Sequence, residues 1–441
     1  MALQPDNAHI PPMPAAASRT LVGLEHAMCL TDEVAPFSVV SVLRLAGALS
    51  AATLRTALDA LQRRHPLLRA RLQKEGKAYV YHFGVSVPIP LDVCERAQPD
   101  SWRAATEDEL DRRFDQTTGP LMRCRYLVDK DGGDVIITMP HHIVDAESAA
   151  HLFGELLALC AGHTLDDTVD TTQEGQTPAP ALYPKEFTGL GYVRAVAGMM
   201  GRQMADEMSF RWRSRGVRKA PIFETGRCCV LPVAYPAALT AALVQASRRQ
   251  RVTLNSMLSA AMLQAVQRRL YPSPRVPLRH IIFTDMRSRL RTSVPATILG
   301  CFLTMLRFTV LVEREGNFWD LARAVQASTV RSARSGERYL AFSMSPDMMK
   351  MIFSMKAFRM GATALSYAGP LDFPVAGASF EVTGVHAFAA NMTLGPEYSA
   401  LIRLFRGELC WDILYLDSDM DAVLAQRIAD DIRTILESAT C

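Results

Sequence analysis

Residues 134–160, DVIITMPHHIVDAESAAHLFGELLALC, place two histidines and an aspartate where an apolar run gives way to an amphipathic segment. His141 lies four residues before Asp145, and His142 lies three before it. Imidazole titrates close to neutral pH, so a histidine held there can take up and return a proton under working conditions. Four uses of the triplet are open on spacing alone. In the simplest, His141 is a turn histidine and Asp145 caps the following helix. A metal site would draw on His141, His142, Asp145 and His151, although adjacent residues on an extended chain point opposite ways and no second ligand cluster has a recognisable spacing. A Ser–His–Asp hydrolase needs a nucleophile, and no G-x-S-x-G elbow occurs to supply one. A histidine general base needs no protein nucleophile and deprotonates an alcohol or an amine directly.

Such residues must be carried by rigid elements. Val135 to Met139 is short, apolar and fit for a buried strand, and the end of a strand is where α/β folds expose chemistry. The helix is expected to begin after Asp145. Upstream, residues 38–45 alternate in β-branched character and end at Gly47. Ser50 then stands as an N-cap for AATLRTALDALQRRHP, where Leu54, Leu58 and Leu61 fall at helical spacing and Pro66 lies just past the end. YVYHFGVSVPIPLDV reads as extended. Residues 161–184 are rich in Thr, Asp, Gly and Pro without periodicity and read as a linker. RAVAGMMGRQMADEMSFRWRSRG reads as a packed helix with a solvated cationic face, or as a surface for an acidic or phosphate-bearing partner. The second half starts afresh. It offers a strand at ETGRCCVLPVA and a helix over TLNSMLSAAMLQAVQRRL with a start at Thr253 or Asn255. Strands follow at LRHIIFTDMRSRL and CFLTMLRFTVLV, then a helix at NFWDLARAVQASTVRSA. TALSYAGPLDFP is a strand plus turn, LIRLFRGELCWDILYL two strands across a glycine turn, and DMDAVLAQRIADDIRTILESA a closing amphipathic helix. Strands and helices mix in both halves without a short repeat, which predicts two α/β domains of similar size.

The 441 residues suit two such domains, and with 49% hydrophobic and 21% charged residues the chain has enough apolar material for large cores. A formal charge of +3 gives no nucleic-acid signature. Nine cysteines, an odd number with no CxxC pair, read as reduced thiols of a cytoplasmic protein. Residues 1–19 lack the basic start and apolar core of a signal peptide and read as a disordered tail. No window of ~18 apolar residues occurs, so no membrane span is expected.

The histidine segment resembles the H-x-x-x-D motif of the chloramphenicol-acetyltransferase-like superfamily of acyl-thioester transferases, which includes condensation domains, polyketide-associated acyltransferases and alcohol O-acetyltransferases. LRLAGALSAATLRTALDALQRRHPLLRARL is similar to the strand–helix–RHPLLR opening of condensation-like domains, and FDQTTGPLMRCRYL to their F-D-x-x-x-G-P-L-x-R segment. In the second half VTLNSMLSAAMLQAV, TDMRSRLRTSVPATILGCFLTML and ALSYAGPL resemble, in order, the family's T-V-N-D-x-L-L-A-A helix, its D-L-R-x-R-L…L-G-x-F stretch and its late S-N-x-G turn. The likeness spans residues 20 to 436. Two departures stand out: Pro140 takes the place of the usual first histidine, and Ala146 that of the glycine after the aspartate, where glycine tolerates dihedrals that alanine does not.

The resemblance implies two α/β sandwich subdomains in a V-shaped pseudo-dimer with a tunnel at the seam: an N-terminal subdomain over 20–165, a linker over 166–190 and a C-terminal subdomain over 191–441. It implies His141 as general base, with Asp145 pairing to Arg287 of the second half to fix the loop that carries it. His142 and Ser366 are weaker candidates for contacting substrate. It implies no metal and no permanently bound cofactor. The co-substrate is an acyl thioester on coenzyme A or a carrier protein, the acceptor an alcohol or amine, the setting natural-product or lipid biosynthesis, and the state a monomer. The alternative is a non-catalytic condensation-like scaffold within a biosynthetic assembly.

Overall fold

The strand that leads to the histidines, β7 (Gly132–Pro140), is buried at all nine positions. It lies between β2 (Ser38–Gly47) and β6 (Arg123–Asp129) and is antiparallel to both. Its side chains alternate between two cores, as a pleated strand requires. Val135, Ile137 and Met139 enter the core of the first half, whereas Ile136 enters a second cluster with Val40, Trp102, Val230, Leu414 and Leu416, which is drawn from both halves. Burial on both faces accounts for the near-continuous apolar run.

The structure is a computed structural model. It describes residues 18–166, 183–213, 226–334, 336–342, 350, 352–354, 359–373, 376–392 and 394–440. In the first half, β1 (Ser18–Thr20), β4 (Ala78–Phe83) and β3 (Ala70–Glu75) form a small sheet in that order. The remaining elements of this half are α1 (Gly23–Val34), α2 (Ala51–Arg64), β5 (Leu91–Glu95), α3 (Ser101–Asp111) and α4 (Ala146–Cys160). Ser50 caps α2 by accepting from Thr53 N at 3.0 Å, and Pro66 follows the last turn. The RHP stretch anchors α2 to α4: Arg64 Nε donates to Glu155 at 2.8 Å, and His65 Nε2 lies 2.5 Å from the same carboxylate.

The second half carries α5 (Gly189–Arg213), β8 (Cys228–Tyr235), α6 (Ala237–Arg249), α7 (Leu254–Leu270), β9 (Arg275–Asp285), β10 (Leu303–Glu313), α8 (Phe318–Arg334), α9 (Glu337–Phe342), β11 (Thr363–Leu371), β12 (Phe380–Ala389), β13 (Tyr398–Phe405), β14 (Glu408–Leu416) and α10 (Ala422–Ser438). Thr253 caps α7 and Asp421 caps α10. A mixed six-stranded sheet runs β10-β9-β11-β13-β14-β8. α7, nearly all buried, packs against α8, α10 and this sheet.

The remaining sheet runs β12-β2-β7-β6-β5, so a strand from the second half completes the sheet of the first. β12 lies antiparallel to β2 with Phe388 opposite Val40 and His386 opposite Val42. A buried charge cluster ties the same strand to the six-stranded sheet. Asp412 on β14 accepts from Ala387 N at 2.7 Å, lies 2.8 Å from His386 Nδ1 and pairs with Arg403 of β13. Trp102 stacks on His386 with ring centroids 4.2 Å apart. Mixed α/β architecture is as expected. The third sheet and the shared strand are not.

Three other expectations are refined. The tail over 1–19 lies outside the described residues except for Ser18 and Arg19, which belong to β1; Arg19 forms a two-bond ion pair with Glu25. Of the linker over 166–190, residues 167–182 lie outside the described residues, whereas α5 already begins at Gly189. Among the side chains of α5 that the structure describes, Leu190, Val193, Met200, Met204 and Met208 face solvent beside Arg194 and Arg202, so the exposed residues there are apolar as well as cationic. Its acids turn inward, Asp206 to Thr309 and Glu207 to Arg279. Among the described residues no helix is long and apolar enough to cross a membrane, and the eight described cysteines are free.

Candidate active site

β7 ends at Pro140, and His141 to Ile143 form one 3-10 turn before Asp145 starts α4. The His141 backbone N–H donates to Phe37 O at 3.1 Å, and the Phe37 ring stacks on the imidazole at 5.3 Å between centroids. His141 Nδ1 lies 3.0 Å from Val144 O. A carbonyl only accepts, so Nδ1 carries the hydrogen, and Nε2 of the neutral ring keeps its lone pair. Nε2 has no hydrogen-bond partner among the described residues, nor is it among the buried polar atoms cut off from solvent. The residue is 9% exposed. Burial lowers its pKa below the ordinary histidine value, with the carbonyl contact and Asp145 opposing. The ring is therefore neutral and oriented, with one nitrogen ready to accept a proton.

Asp145 does not orient that ring; the Val144 carbonyl does. The Asp145 carboxylate faces the second half. Oδ1 caps α4 by accepting from Ser148 N at 2.9 Å, and Oδ2 accepts from Phe302 N and Arg287 Nη1, each at 2.7 Å. Arg287 also donates to Asp285 at 2.9 Å and to Ser148 Oγ at 2.6 Å, and lies over the Phe302 ring. Ser148 Oγ in turn donates to Gly300 O at 2.8 Å. Burial works against the charge of Arg287, but Asp145 and Asp285 outweigh it and raise the guanidinium pKa. The structure thus brings Asp145 and Arg287 together, as the resemblance implied, and adds Ser148, Gly300 and Phe302. Ser148 sits three residues past the cap, where an N-cap aspartate needs an N–H donor, and this is the one signal that could have found it.

Ala146 opens α4 and is not among the residues with positive φ, so this position does not require glycine.

His142 corrects one expectation. Its ring is 1% exposed; Tyr81 Oη lies 2.6 Å from Nδ1 and Gln116 Oε1 2.6 Å from Nε2. Both nitrogens are engaged, so substrate finds no free donor or acceptor there. Burial, then His141 and Arg19, push its pKa down to about 3. For Ser366 only the setting differs. It lies within β11 rather than in a turn, opposite Leu401 of β13 and beyond the stretch paired with β9. Its half-buried hydroxyl makes no hydrogen bond among the described residues. Among those residues no cluster of three His, Cys, Asp or Glu forms a metal site; His151 turns to Glu155 instead.

Comparison with known proteins adds family evidence. Residues 29–175 match the family described as Condensation domain, and residues 232–400 match Phthiocerol/phthiodiolone dimycocerosyl transferase C-terminus. The chain is 28% identical over 331 residues to phosphinothricin tripeptide synthetase PhsC of Streptomyces viridochromogenes, covering 70% of this chain and 29% of that protein. It therefore spans under a third of that synthetase. It is 24% identical over 304 residues to the phthiocerol/phthiodiolone dimycocerosyl transferase of Mycobacterium leprae, covering 65% of this chain and 67% of the relative. Among solved structures, the trichothecene 15-O-acetyltransferase of Fusarium sporotrichioides superposes with a TM-score of 0.73 at 13% identity over 97% of this chain and 99% of the other, a likeness of fold.

Proposed function

The chain belongs to the chloramphenicol-acetyltransferase-like acyltransferase superfamily, and from that premise we propose that it moves an acyl group from a thioester to a hydroxyl or amine, with His141 as general base. One observation carries the reading: Nδ1 is committed to the Val144 carbonyl, which leaves Nε2 as an acceptor at the end of a rigid strand. The acceptor's O–H or N–H meets Nε2, and its heteroatom attacks the thioester carbonyl as the proton transfers. The tetrahedral intermediate collapses by breaking the C–S bond, and the imidazolium returns its proton to the departing thiolate. The thioester supplies the activation, so the protein's tasks are orientation and one proton relay.

Asp145 and Arg287 act behind this step. Their pair joins the start of α4 to the turn after β9 and so holds the His141 loop against the second half. Donor and acceptor would approach where the halves meet. The donor would be coenzyme A or a carrier protein, and Ser366 remains a candidate substrate contact on the strength of its unengaged hydroxyl. The sequence similarity to a tripeptide synthetase and a dimycocerosyl transferase supports a role in natural-product or lipid biosynthesis.

The test is thiol release. Wild type and His141→Ala are incubated with acyl-coenzyme A and acyl-carrier-protein thioesters, with and without a pool of alcohols and amines, and free thiol and product mass are followed. Acceptor-dependent release that disappears in the variant is expected. Equal release by both folded proteins would remove His141 from the chemistry.

A further inference from the structure

The turn that carries His141 is held from behind by a network that the family motif does not contain. Asp32, in the last turn of α1, accepts from two donors. Oδ1 takes Phe37 N at 2.8 Å and Oδ2 takes Gln116 Nε2 at 2.9 Å. Each donor leads to the turn. Phe37 accepts the His141 backbone N–H through its own carbonyl and stacks its ring on the imidazole. Gln116 Oε1 accepts from His142 Nε2, and His142 Nδ1 then accepts from Tyr81 Oη. The Gln116 amide nitrogen serves Asp32 and its oxygen only accepts, so the tautomer of His142 follows: hydrogen on Nε2, lone pair on Nδ1.

Gln116 is presented by a stiff loop. Asp115 folds back to accept from Thr117 N at 3.1 Å and from the hydroxyls of Thr117 and Thr118. Gln116 O accepts from Leu72 N at 2.7 Å. Gly119 closes the loop at φ +65, where an added Cβ would stand 2.7 Å from Ala70 O. Asp32 is held too, since Arg113 donates to the carbonyls of Asp32 and Val34 at the end of α1. The ring of His142 therefore occupies a prepared slot, and its neighbour His141 is clamped between that slot and Phe37.

We propose that Asp32 and Gln116 are positioning residues for His141, acting through Phe37 on one side and through His142 on the other. The proposal rests on the reading of His141 as the base. The network fixes the backbone turn and ring plane, so that Nδ1 faces Val144 O and Nε2 faces the acceptor. Neither Asp32 nor Gln116 meets the reacting atoms.

Two variants test this. Gln116→Leu keeps bulk but removes both side-chain bonds. Asp32→Asn keeps shape but offers one oxygen to two donors, and as a near-isosteric change at a partly buried position it remains available if the first variant does not fold. The readouts are kcat and KM measured separately, thermal melting, and the ¹⁵N spectrum of histidine-labelled protein, which reports the His141 tautomer without any substrate. The expected result is a fall in kcat of about 10–100-fold with KM nearly unchanged, together with His141 resonances that move toward mixed tautomers. Wild-type His141 resonances in both variants would overturn the proposal, even if stability or yield fell, because the network would then be structural only. The outcomes separate from those of the proposed function. If His141→Ala turns over like wild type, the base reading fails while the ¹⁵N spectrum still decides the positioning.

Discussion

Arg287 Nη1 donates to Asp145 Oδ2 at 2.7 Å across 142 residues of chain, and both side chains are almost wholly buried. The pair is also the point where a helix cap of one half meets a strand end of the other. Its worth depends on completeness, because a buried charge whose partner is removed keeps its desolvation cost without the compensation.

Asp145→Asn and Arg287→Ala separate cap from charge. Asparagine still accepts from Ser148 N, so the cap survives and the loss reports what Oδ2 accepts, the ion pair with Arg287 and the Phe302 N–H together. We expect each single variant to lose about 3–5 kcal/mol in denaturant unfolding. The double variant should lose clearly less than the sum. Additive losses would show that the two residues act independently.

For His141 the pH dependence has a definite sign. A base must be neutral to act, and burial lowers the pKa of this ring. The acid limb of kcat/KM should therefore fall below the ordinary histidine value of about 6.5, with activity rising as pH rises through it. His141→Ala should lower kcat by about 10²–10⁴. An acid limb centred well above 7 would assign the titration to another group.

His280 offers a stability test away from the site. It is fully buried beside Thr363 and Phe308, and burial pushes its pKa down to about 3. As pH falls below 6.5 the unfolded chain binds a proton that the folded chain refuses. Stability is thus present above 6.5 and is lost toward 3, at about 1.4 kcal/mol per pH unit for this residue. His280→Gln cannot titrate, so its unfolding free energy should lose about that much less per pH unit between 6 and 4. Parallel curves for variant and wild type would show that the ring is already protonated in the fold.

Asp412 serves three partners at once: Arg403, His386 and the Ala387 N–H. Asp412→Ala leaves a buried guanidinium unpaired and should cost about 3–5 kcal/mol. Amide exchange should quicken first in residues 384–389 of β12. Protection there equal to wild type would mean that the pairing with β2 holds the strand unaided.

Much of this was legible in the chain because local rules and global fold agreed. Ser50, Asp145 and Thr253 read as caps and are caps, and the apolar run from Val135 to Met139 is a strand buried on both faces. His141 could be named as a candidate, and Asp145 and Arg287 as a pair, because the resemblance to the H-x-x-x-D family carries them; the structure brings the pair together. Other features depend on contacts between distant segments. Nothing in FEVTGVHAFA says that it will pair with β2 rather than with a strand of its own half. His142 stood as a candidate for contacting substrate because Tyr81 and Gln116, which engage it, reach it from elsewhere in the chain. Ala146 looked doubtful only until its backbone proved to be ordinary helix.

The shared sheet has one more consequence. Without β12, the first half would end at β2, whose first six residues are buried in the whole protein. Expressed alone, residues 18–166 would offer a long apolar rim of unanswered N–H and C=O groups, the kind of surface on which chains stack into aggregates. A peptide spanning 378–391, added during refolding, would cap that rim. In this respect the first half is the incomplete part of a split sheet, one that only a strand from the second half closes.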